Sequence, residues 1–365
     1  MTRSALTVLL RSRAGWLLFA AATVAGGQPA NLTGGSTTTR PGERDFVRQV
    51  QALASDPAAR WIGWEAPAKG DRSSCCWSSH DGWDSGGCCG RCRLEPGSSK
   101  TVSQAEGSRS VRLEDHGTLR VFARASGGQF IRVRAFSSDC AVDAAGATVV
   151  WVENVEPEAS VALLEKLATI PSASSEGDLA ASSLAAIAEH GVLAADRALE
   201  RLAARSQPRR LREKAAFWLG NARGRAGYEI LRRIAPEDPD EEFRKHATFA
   251  FSQSPEPEAV ATLIAMAKRD PSPSVRGQAL FWLAQKAGHR AAGAIEDAIR
   301  DDPETEVKTK AVFALTQMPD GEGVPKLIEV ARSNRNAEVR RKAIFWLGQS
   351  RDPRALAFLE EVLTR

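Results

Sequence analysis

Apolar residues in the second half of the chain recur with a period of 32 residues. Five nine-residue segments align without a gap, and each begins with an apolar residue, has Ala at its fifth position and Phe at its seventh. These segments are Leu211–Leu219, Phe243–Phe251, Val275–Leu283, Val307–Leu315 and Val339–Leu347. A degenerate sixth copy begins at Leu179, with Ala185 where the others have Phe. Leucines, with isoleucine at Ile295, keep the same period between the copies from Leu167 to Leu359. The pattern predicts an array of about six helix pairs over residues 155–365.

Turn residues fall at a constant position in this array. Asp-Pro pairs begin at Asp238, Asp270 and Asp302, and Ser206 and Asn334 hold the Asp position elsewhere. We expect these residues to cap the second helix of each pair by accepting backbone N–H bonds, with Pro in the first helical position. The second residue of each aligned segment is always basic. These residues are Arg212, Arg244, Arg276, Lys308 and Arg340.

With its Val-Arg, Ala and Phe-Trp-Leu-Gly-Gln residues in register, the array resembles the HEAT-repeat superfamily, specifically short bacterial HEAT-like units. The resemblance covers residues 155–365. It implies a right-handed α-solenoid that acts mainly through protein–protein contacts, with the second helices lining the concave surface.

A helical wheel separates two sets of positions on the second helices. Val275, Ala279, Trp282 and Leu283 share one arc and predict a buried seam, whereas Phe281 lies among polar positions. We therefore expect Trp218, Trp282 and Trp346 to lie in the core. The phenylalanines form a ladder of Phe217, Phe249, Phe281, Phe313 and Phe345. The predicted groove has polar rims that include Lys310, Lys342, Gln317 and Gln349. Alternatively, each Phe wedges between neighbouring second helices and only seals the stack.

Residues 43–153 predict a small cysteine-rich domain that contains β-strands. A helix is expected over residues 43–56, a strand near Trp61, and another over Val149–Val152. Alternating segments on either side of Gly127 and Gly128 predict a hairpin. Because Arg124 and Arg132 share a face only with an odd number of turn residues, we expect a three-residue turn with a glycine bulge. The fold class is therefore α+β, with an all-α solenoid after this domain.

All six cysteines precede the array. They are Cys75, Cys76, Cys88, Cys89, Cys92 and Cys140. An even number in an exported chain indicates disulfides first, in a pairing that the sequence leaves open. Cys89 and Cys92 form one CxxC pair, which with His80 also allows a metal site or redox-active thiols.

The first 25 residues have the pattern of a secretory signal. Arg3, Arg11 and Arg13 precede an apolar stretch that ends near Ala25. We predict cleavage there, a disordered linker over residues 26–42, and export to the periplasm or medium without stable membrane insertion. The net charge is +4, and the three arginines of this segment account for most of it. The remaining near-neutral chain does not indicate nucleic-acid binding.

No catalytic motif is recognisable in the sequence. One hydroxylase family with HEAT-like repeats uses paired His-Glu metal ligands, but here Glu189 and His190 occur once and in the reverse order. We predict no enzyme activity, no cofactor and no metal site. The predicted function is an exported scaffold that binds a protein on the concave face of the solenoid. The alternative is an envelope redox or metal-binding module in the cysteine-rich domain.

Overall fold

A computed structural model of the chain describes residues 31–70, 92–95, 117–138, 141–171 and 178–364. The strands in these ranges are β1 (Leu32–Thr33), β2 (Ser36–Pro41), β3 (Arg60–Pro67), β4 (Cys92–Arg93), β5 (Thr118–Ser126), β6 (Gln129–Ser137), β7 (Val142–Asp143) and β8 (Thr148–Glu153). The first helices are α1 (Phe46–Ala54), α2 (Pro157–Ala168), α3 (Leu179–Glu189), α4 (Leu193–Leu202), α5 (Arg209–Ala222), α6 (Gly224–Ile234) and α7 (Glu241–Gln253). The remaining helices are α8 (Glu258–Arg269), α9 (Pro273–Ala287), α10 (His289–Asp301), α11 (Thr305–Thr316), α12 (Gly323–Ser333), α13 (Ala337–Gln349) and α14 (Pro353–Thr364).

The N-terminal part is a five-stranded mixed sheet in the order β2-β8-β3-β5-β6. Residues that alternate along each strand point to opposite faces. One face, which includes Ile62, Trp64 and Val121, packs with α1 and α2. The other face holds Trp61, Phe122 and Trp151, and is packed with residues of a small parallel sheet in the order β1-β7-β4. This arrangement confirms the predicted α+β fold class.

The structure corrects the predicted disordered linker over residues 26–42. Within it, β2 pairs in parallel with β8 along six residues, from Ser36 opposite Thr148 to Pro41 opposite Glu153. The Gly-, Thr- and Pro-rich composition favoured a linker, but threonine is a good strand residue when a partner strand is available. β2 lies at the sheet edge, where a terminal proline is tolerated. Residues 26–30 lie outside the described ranges.

The hairpin of β5 and β6 differs from the prediction in its turn. The turn contains two residues, Gly127 and Gly128, with φ of 56° and 78°, as the type I′ turn requires. Arg124 lies opposite Arg132 while Ala125 lies opposite Phe130. The extra residue is therefore Ile131, which forms a bulge within β6. Arg124 and Arg132 are directly opposite, as expected, because of this strand bulge and not because of a longer turn.

Helices α2 to α13 form six antiparallel pairs, and α14 follows them. The second helices are α3, α5, α7, α9, α11 and α13, and their seam residues Val275, Ala279 and Leu283 are fully buried. From α5 onward, successive second helices pack more closely than successive first helices do. The second helices therefore form the inner layer of a curved stack.

The predicted caps lie two residues too early. The N-cap residues that accept N–H bonds from the helix starts are Asp240, Ser272 and Asn336, not the residues of the Asp-Pro positions. Asp270 instead accepts the N–H of Ser272 at 2.9 Å in an Asx turn. The prolines of the Asp-Pro pairs accordingly precede the second helices and do not occupy their first position.

The aspartates of these positions pair with the basic residues of the preceding repeat. Arg244 donates two hydrogen bonds to the carboxylate of Asp270, at 2.9 and 3.1 Å. The Asp270 carbonyl then accepts a bond from Arg276 at 2.9 Å. Arg276 donates two bonds to Asp302 in the same way, at 2.8 and 3.0 Å, whereas Arg212 donates a single hydrogen bond to the carboxylate of Asp238. We call this chain of six residues the arginine–aspartate ladder. Because its groups are buried and fully paired, it links four consecutive repeats in a fixed register.

The small domain and the solenoid share one continuous core. Backbone hydrogen bonds join the end of β3 to the end of α3. The N–H of Lys69 donates to the Glu189 carbonyl, and the N–H of Gly191 donates to the Pro67 carbonyl, both at 2.8 Å. The ammonium of Lys69 also donates to the Ala222 carbonyl at the end of α5. The N-terminal domain therefore covers the first end of the repeat array, as capping units of solenoids do.

Candidate functional site

The predicted Phe ladder is part of a longer row of aromatic rings on the inner layer. Phe217 stacks on Phe249 with a centroid distance of 5.7 Å, and Phe281 stacks on Phe313 at 5.9 Å. Trp282 links the two stacks by packing 4.7 Å from Phe249 and 4.8 Å from Phe281. We call the whole row the aromatic ladder. Its members are Trp218, Phe217, Phe249, Trp282, Phe281, Phe313, Trp346 and Phe345.

The structure does not separate the tryptophans from the phenylalanines as the wheel did. Trp218 is buried as predicted, but Trp282 and Trp346 are partly exposed and contact the Phe ring of the preceding repeat. The wheel treats a helix alone and contains no information about the Phe ring that the neighbouring helix places against each indole. The prediction of a fully buried position is therefore wrong for Trp282 and Trp346, although Trp346 still packs against the core.

The two ends of the Phe series have different surroundings. Phe217, Phe249, Phe281 and Phe313 are each partly buried between successive second helices. Phe345 is 52% exposed, and its ring contacts Trp346 of its own helix at 5.0 Å. Phe345 therefore offers the most accessible ring of the ladder.

The predicted rim residues divide into packed and accessible ones. The stem of Lys310 lies against Gly277 on the preceding second helix, and its ammonium pairs with Glu306 at 2.7 Å. Lys342 lies over the ring of Phe345 at 5.8 Å, a cation–π contact.

The glutamines of the rim also divide into packed and accessible residues. Gln317 is partly buried and donates to the hydroxyl of Thr316 at 2.9 Å, and Gln253 donates to Ser252 in the corresponding way. Gln285 and Gln349 are exposed. On α13, the accessible Lys342, Phe345 and Gln349 lie on one face because they are three or four residues apart.

A prediction about stability follows from this division. Replacing Phe281 by Ala should lower the free energy of unfolding by about 1–3 kcal/mol, because it removes a stacked inter-helix pair and leaves a gap beside Trp282. Replacing Phe345 by Ala should change it by about 0.5 kcal/mol, as at most exposed positions. Urea unfolding followed by far-ultraviolet circular dichroism measures both. Equal losses in the two variants would contradict the different roles.

A buried Ser–His pair could be mistaken for a catalytic dyad. The hydroxyl of Ser160 lies 2.8 Å from His190 Nε2, and His190 Nδ1 lies 2.7 Å from the Ala186 carbonyl. Both side chains are fully buried, so a substrate has no access to the hydroxyl. Burial also lowers the pKa of His190 to about 4. The pair is part of the joint between domains.

Within the described residues, no three His, Cys, Asp or Glu side chains group as a metal site would require. No helix in those ranges has the length and apolarity to cross a bilayer.

Of the cysteines, only the backbone of Cys92 is described. It lies in β4, opposite Val142. Cys75, Cys76, Cys88, Cys89 and Cys140 lie outside the described residues, as does the predicted signal sequence. The predicted disulfides therefore stay predictions.

Comparison with known proteins identifies the repeat array. Residues 195–284 and 293–365 match the family of HEAT repeats. The chain therefore contains HEAT repeats between residues 195 and 365, which confirms the resemblance for this part of the array. No curated protein matches the chain.

Two solved structures are similar to part of this chain. Human deoxyhypusine hydroxylase in complex with glycerol shares 18% identity, with a TM-score of 0.30 over 57% of this chain and 79% of that one. The complex of CpcE and CpcF of phycocyanin lyase from Nostoc sp. PCC7120 shares 22% identity, with a TM-score of 0.29 over 53% of this chain and 77% of that one.

Proposed function

We propose that this protein is an exported scaffold without catalytic activity, which binds a partner protein on the concave face of its HEAT-repeat solenoid. The aromatic ladder is the observation that carries the proposal. Apart from the buried Trp218, it places partly or fully exposed rings in one continuous row on the inner layer, and aromatic residues are enriched at the centres of protein interfaces.

The rest of the inner layer suits a binding surface. The ion pairs and the arginine–aspartate ladder fix the repeats relative to one another, so the rings are held in place before a partner arrives. Such preorganisation lowers the ordering cost of association. Gln285 and Gln349 add exposed amide groups beside the rings, which can donate to and accept from a partner backbone. Export rests on the Arg-rich and apolar pattern of residues 1–25.

Site-specific photo-cross-linking in the source organism tests the binding face. A photoreactive amino acid at Gln285 or Gln349 should give a discrete adduct with one partner. The same amino acid at Arg197 or Arg269, which are exposed on the first helices α4 and α8, should give none. Adducts from α4 and α8 alone would place the partner on the convex side. Cell fractionation of the same samples tests export, since a full-length cytosolic chain would contradict it.

A further inference from the structure

The inner face of α13 carries an exposed group of two cations and one ring. Arg341, Lys342 and Phe345 line a shallow depression together with Glu338. We call Arg341, Lys342 and Phe345 the terminal patch. All three side chains are exposed, and two positive charges face a single carboxylate. The patch therefore has a net positive charge beside an apolar ring.

At the corresponding positions of earlier repeats, each lysine forms an ion pair with an acidic side chain. Lys214 pairs with Asp178, Lys245 with Glu242 at 3.5 Å, and Lys310 with Glu306 at 2.7 Å. The other positions hold neutral residues, an acid, or the partly buried His246. In the part of the chain that the structure describes, Arg341 and Lys342 form no ion pair. The cations of the terminal patch are therefore available to carboxylates from outside the chain.

The ring of the terminal patch also differs from its counterparts. Phe217 and Phe281 each stack on the Phe of the next repeat, with interplanar angles of 15° and 9°. Phe345 occupies the corresponding position, but in the described ranges its only ring contact is the edge-on one with Trp346. Along the aromatic ladder, Phe–Phe stacks alternate with contacts made through a tryptophan. A partner ring stacked on Phe345 would continue this alternation.

We propose that the terminal patch binds an acidic peptide segment that carries an aromatic side chain. The aromatic ring stacks on Phe345, and carboxylates on either side of it pair with Arg341 and Lys342. Charge complementarity selects the acidic partner and increases the association rate, while the stacked ring supplies the anchor. This inference rests on the proposed function, because it names the kind of partner that the inner face receives.

Fluorescence anisotropy with the full chain tests the proposal. The probes are labelled peptides of about twelve residues, each rich in Asp and Glu with one Trp at a varied position. At least one should bind, and replacing its Trp by Ala or its acids by Lys should weaken binding about tenfold or more. Phe345→Ala and the double variant R341E/K342E should each weaken binding to the same degree. Raising the salt concentration should weaken it further.

A double variant with the same change of net charge provides the matched control. Arg197 and Arg269 are exposed on α4 and α8, and R197E/R269E should leave the affinity within about twofold. An equal loss in this control would show unspecific attraction and overturn the proposal. Absence of binding by every acidic peptide would do the same. If sedimentation shows a dimer that Phe345→Ala dissociates, a second copy of this chain occupies the patch instead.

The two proposals fail in different ways. If cross-links from Gln285 persist in Phe345→Ala and R341E/K342E, the concave face binds its partner but the terminal patch is not the anchor. If no inner position gives a cross-link in the wild-type chain, the proposed function itself is wrong.

Discussion

Replacing Asp270 by Ala should lower the free energy of unfolding by about 3–5 kcal/mol. The carboxylate of Asp270 accepts two hydrogen bonds from Arg244, and the two side chains are 2% and 9% exposed. Removing the carboxylate leaves the guanidinium buried without its counter-charge, which costs more than the pair itself contributed. It also removes the acceptor of the Asx turn before α9. Urea unfolding monitored by circular dichroism measures the loss.

Two comparisons make this prediction specific. Asp297 pairs with Lys268 and Arg300 on the outer surface, so Asp297→Ala should cost about 0.5 kcal/mol or less. A double variant, Arg244→Leu with Asp270→Ala, should recover part of the stability because no unpaired charge remains, and the double-mutant cycle then gives the coupling energy. If Asp270→Ala cost no more than Asp297→Ala, the arginine–aspartate ladder would not hold the repeats together.

The sequence contains a signal for this ladder that the turn interpretation missed. Three of the arginines at the second position of a repeat, Arg212, Arg244 and Arg276, have an aspartate 26 residues later, as Arg244 has Asp270. Where the basic residue is Lys308, the residue 26 positions on is Asn334, and Lys308 donates to a backbone carbonyl instead. The two positions change together within a single chain, which indicates contact. Helix-cap propensity alone cannot show this, because Asp is equally common in caps and in ion pairs.

Other features were predictable to different degrees for physical reasons. Helix positions and the buried residues Val275, Ala279 and Leu283 followed from periodicity, because burial within one helix pair dominates there. The indole of Trp282 packs against Phe249 of a neighbouring helix, and a single-helix wheel contains no such information. The pairing of β2 with β8 joins segments more than one hundred residues apart, which local composition does not report.

The joint between the two domains depends on a histidine that must stay neutral. The Ala186 carbonyl can only accept, so His190 Nδ1 donates to it and Nε2 accepts the hydroxyl of Ser160. The same hydroxyl accepts the indole N–H of Trp64 from the sheet at 2.7 Å. Arg223 donates to the backbone carbonyl of His190 and pairs with the buried Asp196. A proton on Nε2 would leave the Ser160 hydroxyl without its acceptor.

Acidification should therefore weaken the fold over a defined range. Burial lowers the pKa of His190 from 6.5 to about 4, and the charge of Arg223 contributes in the same direction. Between pH 6.5 and 4, the unfolded chain binds a proton at this histidine that the folded chain does not, so stability falls as the pH falls. The loss should reach roughly 3 kcal/mol by pH 4 and then level off for this group. His246, whose pKa is also lowered by burial, adds to the decline.

Unfolding by urea at a series of pH values tests this in the wild type and in His190→Gln. The variant should be less stable at pH 7, because a glutamine replaces a buried ring, but its stability should depend less on pH between 6.5 and 4. His246→Gln serves as the comparison, since it removes the other buried histidine while Trp64, Ser160 and His190 stay in contact. If His190→Gln keeps the wild-type slope and His246→Gln loses it, the acid sensitivity comes from the solenoid. The Trp64–Ser160–His190 joint would then be insensitive to pH in this range.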